Sequence, residues 1–106
     1  MQISDLQKFL AWVQIRLNEK FGKNESKELS VLSWMTKLTE EVWELAEQVM
    51  LRKWRQDNRK WDFDIHQMEL EIADVIFSVS MIAQAMDIDI ESALQKKMNN
   101  IKSKRS

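Results

Sequence analysis

"EIADVIFSVSMIAQAM", residues 71–86, decides how the rest of the chain is read. From Ile72 to Met86 the apolar side chains Ile72, Ala73, Val75, Ile76, Phe77, Val79, Met81, Ile82 and Ala83 fall on nearly every face of a helix. A helix apolar almost all round belongs inside a protein, covered on several sides. Asp74 stands within this run, three residues after Glu71. An ionised carboxylate among such neighbours is costly unless something positive meets it.

Working outward, proline is absent and glycine occurs once, at Gly22. Both residues weaken helix interiors and punctuate turns, so their scarcity favours long helices with short connections. Asp64 with Gln67 reads as a capping box that opens the apolar helix. After it, "DID" at 87–89 is a turn, with Asp89 the N-cap of a last helix carrying Ile90, Ala93, Leu94, Lys97, Met98 and Ile101. Upstream, Leu32, Met35, Leu38, Val42, Leu45, Ala46 and Val49 form one helical stripe. That second helix begins near Ser30 or slightly earlier and runs to about Trp54. A first helix carries Leu6, Phe9, Leu10, Val13 and Leu17, opens with a Ser4–Gln7 capping box and ends near Gly22. "RQDNRKWD", residues 55–62, is a packed irregular segment anchored by Trp61 and Phe63. The fold expected is all-α, four helices in a bundle-like arrangement.

A chain of 106 residues suits one domain, 1–106, with one core. The apolar circumference of the third helix exceeds what one small bundle covers. A homo-oligomer is therefore expected, dimer or tetramer with tetramer preferred, joined through apolar faces of the first three helices. Hydrophobic residues make up 44% and charged residues 31%, which argues against disorder. The formal net charge of −1 argues against non-specific nucleic-acid binding. It hides a basic end, "KKMNNIKSKRS" at 96–106, with no acid in it. The absence of cysteine excludes disulfides, thiolate zinc sites and cysteine nucleophiles. No long uncharged apolar run suggests a membrane span. The start, "MQISDLQKFL", lacks a basic-then-apolar leader pattern. The expected compartment is the cytoplasm.

The chemistry lies in the acids. "TEEVWELAEQV", residues 39–49, places Glu41 and Glu44 three apart and Glu40 and Glu44 four apart, so like charges neighbour one another on one helix. Glu71 and Asp74 repeat the three-residue spacing on the apolar helix. Two such pairs on adjacent inward-facing helices can converge into a hard-cation site, with Mg²⁺ expected and Mn²⁺ a substitute. The competing reading is a solvated acidic face, or neutralisation of Asp74 by Arg52, Arg55 or a lysine.

"EEVWELAE" followed by "EIADVIFSV" resembles the E-E-x-x-E…E-x-x-D motif of the MazG-like, all-α nucleoside triphosphate pyrophosphatases, and the likeness extends over about residues 30–105. It implies Mg²⁺-dependent hydrolysis of a (d)NTP between the α and β phosphates, giving a monophosphate and pyrophosphate in a house-cleaning role. It further implies metal ligands at Glu41, Glu44, Glu71 and Asp74. Glu40, matching the first acid, orients or deprotonates water, with Glu41 beside it at the catalytic centre. The family's basic K-x-x-x-N stretch is imperfect here: Lys97 is followed by Ile101 where asparagine is expected, whereas Lys96 is followed by Asn100. Lys97, Asn100 and Lys104 share a helical face and are the expected phosphate contacts; a solubilising tail is the alternative. Trp34, Trp54, Trp61 and Phe63 are candidates for stacking on the base, against the commoner role of core packing. Trp43 replaces a usually small residue of the motif and is expected to pack or to meet another subunit.

His66, the single histidine, is expected at the surface or in a cap. Two other functions compete. A non-enzymatic helical interaction module suits amphipathic helices and five tryptophans. A redox-iron carboxylate bundle usually adds E-x-x-H motifs, which are absent.

Overall fold

The structure, a computed structural model, describes residues 1–21, 26–54 and 64–104, with side chains at 1–20, 26–50 and 64–104. Among them the chain is all-α. It forms α1 (Ile3–Phe21), α2 (Lys27–Trp54), α3 (Ile65–Ala85) and α4 (Ile90–Lys104), with no strand. None of these helices is long and apolar enough to cross a membrane. The expected cap at Gly22, the irregular segment 55–62 and the anchors Trp61 and Phe63 lie outside the described residues.

Local chemistry explains the boundaries. α1 opens two residues earlier than the Ser4–Gln7 box suggests. Asp5 Oδ2 accepts the Gln2 backbone N–H at 2.8 Å, and the Asp5 N–H donates to the Gln2 carbonyl at 3.0 Å, so the cap is centred on Gln2. α2 begins at Lys27 because Ser26, rather than Ser30, is its cap: Ser26 Oγ accepts the Leu29 N–H at 3.2 Å. Asp64 caps α3 as expected, but through the His66 N–H at 2.9 Å, and Gln67 is turned elsewhere. His66 is exposed, with Nδ1 3.8 Å from Glu69 Oε2. Asp89 caps α4 through the Ser92 N–H at 3.3 Å, and this bond holds its carboxyl below the usual range.

α3 ends in a Schellman motif. Ile88 N–H donates to Ala83 O at 2.8 Å and Asp87 N–H to Gln84 O at 3.1 Å. Asp87 takes the left-handed conformation (φ 58°) that glycine usually fills. A short polar side chain tolerates it, and Lys27 Nζ binds Asp87 Oδ2 at 2.8 Å.

The chain groups into two compact units, Met1–Val31 with Ser80–Ser106, and Leu32–Val79. In the first, Leu10 and Met81 are fully buried and Gln7 Nε2 donates to Asp89 Oδ1 at 3.2 Å, tying α1 to the start of α4. In the second, the ring of Trp34 on α2 meets Phe77 on α3 edge-on, with centroids 5.9 Å apart.

The expectation that α3 lies wholly inside is corrected. Its buried side chains include the polar Glu71, Ser78 and Ser80, while Ile72, Ile76 and Val79 stay 41–50% exposed. Among the described residues nothing covers that aliphatic side. The exposed residues run at alternating spacings of four and three, 72–76–79. On α2, Leu32, Met35, Val42 and Val49 are also exposed, and Thr39 and Ala46 complete the same alternation, 32–35–39–42–46–49. That is the spacing of a helix-packing seam.

Candidate metal centre

The inward face of α2 carries Trp34, Lys37, Glu41 and Glu44 within three turns, spaced at three and four residues. Glu71 sits on α3. The two helices belong in this region to the same compact unit. A carboxylate oxygen from each of Glu41, Glu44 and Glu71 comes within 4.8 Å of the others. Glu41 is 4% exposed and Glu71 6%, whereas Glu44 reaches solvent and closes the cluster from its open side.

The hydrogen bonding covers half of each buried carboxylate. Lys37 Nζ donates to Glu41 Oε1 at 2.9 Å. Gln67 Nε2 donates to Glu71 Oε1 at 2.8 Å, which is why Gln67 is absent from the α3 cap. Glu41 Oε2 and Glu71 Oε2 are buried and meet no donor. A buried anionic oxygen without a donor is rare in a folded protein and calls for an explanation.

Electrostatics divide the group. The Lys37 ammonium holds the Glu41 carboxyl below the usual carboxylate range and is itself raised by the same bond. Glu44 is pushed up, first by its closeness to Glu71 and then by the charge on Glu41. Asp74 is pushed up by desolvation, then by the charges on Glu41 and Glu71. Asp74 therefore feels the cluster, although the mutual 4.8 Å group contains only the three glutamates. Asp74 is also exposed. Part of its carboxyl is nonetheless withdrawn from water, which is the leading cause of its upward shift. Among the described residues the buried acids are Glu41 and Glu71.

The remaining expected site residues fall in several places. Glu40 is exposed, next to Glu41 but on another side of α2. Trp34 is half-buried against Phe77, one turn before Lys37. Trp54 is the last residue of α2, and its side chain, like Trp61 as a whole, lies outside what is described. Lys97, Asn100 and Lys104 are exposed on α4, which has no buried residue. Arg52 and Arg55, considered as partners for Asp74, have no described side chains. Trp43 is 66% exposed. Lys37 was missed by sequence reasoning. Its signal was the K-x-x-x-E spacing to Glu41, which places a cation beside the acids.

The MazG nucleotide pyrophosphohydrolase domain matches residues 29–105, a span that takes in both acidic pairs. The chain belongs to this family. The uncharacterized protein YpjD of Bacillus subtilis (strain 168) is 33% identical over 87 residues, which cover 82% of this chain and 78% of YpjD. No solved structure matches the chain.

MazG membership fits a divalent metal, and the residues pass the same test independently. Two donorless buried oxygens, an open side at Glu44 and an all-oxygen donor set suit a hard cation such as Mg²⁺. Among the described residues the acid clusters contain no histidine, in keeping with that preference.

Proposed function

We propose that this chain hydrolyses (d)NTPs between the α and β phosphates, releasing a monophosphate and pyrophosphate, in a house-cleaning role. The observation that carries the reading is the convergence of Glu41, Glu44 and Glu71 around two buried oxygens that no protein donor meets, in a member of the MazG family. The cation is Mg²⁺, with Mn²⁺ able to substitute. Glu41, Glu44, Glu71 and Asp74 hold it. When bound, it neutralises the triphosphate and acidifies water.

The residues of the chain divide the other tasks. Glu41 is anchored by burial and by Lys37, so its donorless oxygen is fixed in direction. Glu40 and Glu41 are the carboxylates that orient the attacking water and accept its proton. Glu40 is suited to pass a proton on, since it faces solvent. Lys97, Asn100 and Lys104 contact phosphate, and Trp34, Trp54 and Trp61 contribute to the base site. Trp34 stands on the same face of α2 as the acids, which favours its inclusion.

The chain acts as a homo-oligomer of a single domain, 1–106, in the cytoplasm, with a nucleoside triphosphate as its partner and no nucleic acid or membrane. The exposed seams on α2 and α3 support self-association. The aliphatic side left open among the described residues of one copy is closed by a second copy presenting the same spacing. The same seams favour the competing reading, a helical module that binds another protein without catalysis.

Purified protein incubated with Mg²⁺ and a panel of dNTPs, followed by ³¹P NMR, separates the two. Monophosphate with pyrophosphate is the expected outcome. Absence of turnover, or release of single phosphates, rejects the pyrophosphatase reading.

A further inference from the structure

Beyond anchoring Glu41, Lys37 is the cation that the described residues bring to the acids. We propose that Lys37 is the resident counter-ion of the metal-free carboxylate cluster, and that an entering divalent cation displaces its ammonium from Glu41. This rests on the reading that the cluster holds a divalent cation.

Three observations carry it. First, Lys37 Nζ lies 2.9 Å from Oε1 of a carboxylate that is 4% exposed and has no donor for its other oxygen. The ammonium is thus what compensates a buried charge. Second, the two partners differ in freedom. The Lys37 side chain is 53% exposed on a flexible four-carbon stem and can return to water, whereas Glu41 is held in the interior. Third, the pairing does little for the helix. A lysine four residues before a glutamate is the less favourable order along a helix, so local helix stability does not account for it. The mutual perturbation of Glu41 and Lys37 agrees with a tight pair.

The exchange follows from charge. One ammonium faces Glu41, Glu44 and Glu71, with Asp74 nearby, and leaves their repulsion largely unrelieved. A divalent cation among these oxygens relieves more of it. It also repels an ammonium on the same carboxylate, and that ammonium has solvent to go to. Lys37 is in these terms a positioning residue: it holds the Glu41 carboxylate in place until the cation arrives.

The test reads binding and side-chain order, not turnover. Mn²⁺ binding is followed by EPR, and Mg²⁺ binding by calorimetry, on wild type, Lys37→Gln and Lys37→Arg at mildly alkaline pH. Lys37→Gln is expected to bind the cation roughly tenfold more tightly, since a competing positive charge beside the site is gone. Its metal-free form is expected to melt below wild type. Lys37→Arg, which keeps the charge, stays close to wild type in metal-free melting. In wild type, side-chain NMR of the Lys37 terminal methylene shows a restrained group that becomes as mobile as a free surface lysine at saturating Mg²⁺. This arm needs no variant to fold. If wild type binds the cation but Lys37→Gln binds no tighter, or if the Lys37 signal does not respond to Mg²⁺, the exchange is overturned alone. If wild type takes up no divalent cation, the metal reading falls and the exchange falls with it.

Discussion

Replacing Glu71 by glutamine separates what the site needs for stability from what it needs for binding. Glu41 and Glu71 are both buried, with carboxylate oxygens within 4.8 Å. Two unit charges at that separation repel by about 3.5 kcal/mol at an effective dielectric constant of roughly 20. The Lys37 ammonium at Glu41 and the open side of the cluster screen this, leaving about 1–2 kcal/mol. Glutamine preserves the shape. Its carbonyl can still accept from Gln67, and its amide brings a donor to a cluster in which Glu41 Oε2 has none. Metal-free Glu71→Gln is therefore expected to be more stable than wild type, by about 1–2 kcal/mol. That corresponds to a melting temperature higher by about 4–8 °C per kcal/mol for a domain of this size. Mg²⁺ acts in the opposite sense. It stabilises wild type by about 2.7 kcal/mol at a concentration 100 times its Kd. The variant, short of one anionic ligand, loses most of that gain. Thermal melts by circular dichroism in EDTA and in excess MgCl₂ give both numbers. A variant that melts below wild type without metal, or that keeps the full Mg²⁺ shift, would refute the reasoning.

Further outcomes follow from the same structure. The pKa of Glu44 and of Asp74 is raised in the folded state, so the folded protein binds protons more readily than the unfolded chain. The metal-free protein should gain stability as pH falls from neutral through those raised values, then lose it below the ordinary carboxylate range as the depressed Glu41 is protonated and Lys37 loses its partner. Melting temperature against pH in EDTA should show a mildly acidic maximum that Mg²⁺ flattens. Leu10→Ala empties a fully buried position and is expected to cost about 2–5 kcal/mol in denaturant unfolding. Val42→Glu and Ile76→Glu put charge into the exposed seams, and light scattering should report a lower assembly mass with α-helical content retained.

Much of the helical layout was legible because side-chain spacing and capping act locally. Trp54 ends α2 as expected, and Asp64 and Asp89 cap as expected. α2 starts slightly before Ser30, as expected, whereas α1 starts before the Ser4 box, because several residues compete for one cap. Ser30 offers the same hydroxyl chemistry as Ser26, and at α1 the Asp5 carboxylate competes with the Ser4 hydroxyl, so only the path of the backbone decides between the candidates. Convergence of Glu41, Glu44 and Glu71 was legible from three-residue spacing on two helices. The exposure of Asp74 was not, because apolar neighbours in sequence occupy other faces of a helix and need not bury the residue between them. Lys37 is illegible for a related reason: the sequence run makes Asp74 look like the charge that needs a partner, whereas the buried carboxylate paired in the structure is Glu41.

The central claim concerns one point in space, between the facing carboxylates of α2 and α3. Crystals grown with Mn²⁺ and a non-hydrolysable dNTP analogue, measured at an energy that excites manganese, would locate that point by anomalous scattering. The account predicts a peak within bonding distance of oxygens from Glu41, Glu44 and Glu71, with Asp74 drawn in and the triphosphate on the open side. A map with no peak there, or with manganese held elsewhere on the chain, would contradict it.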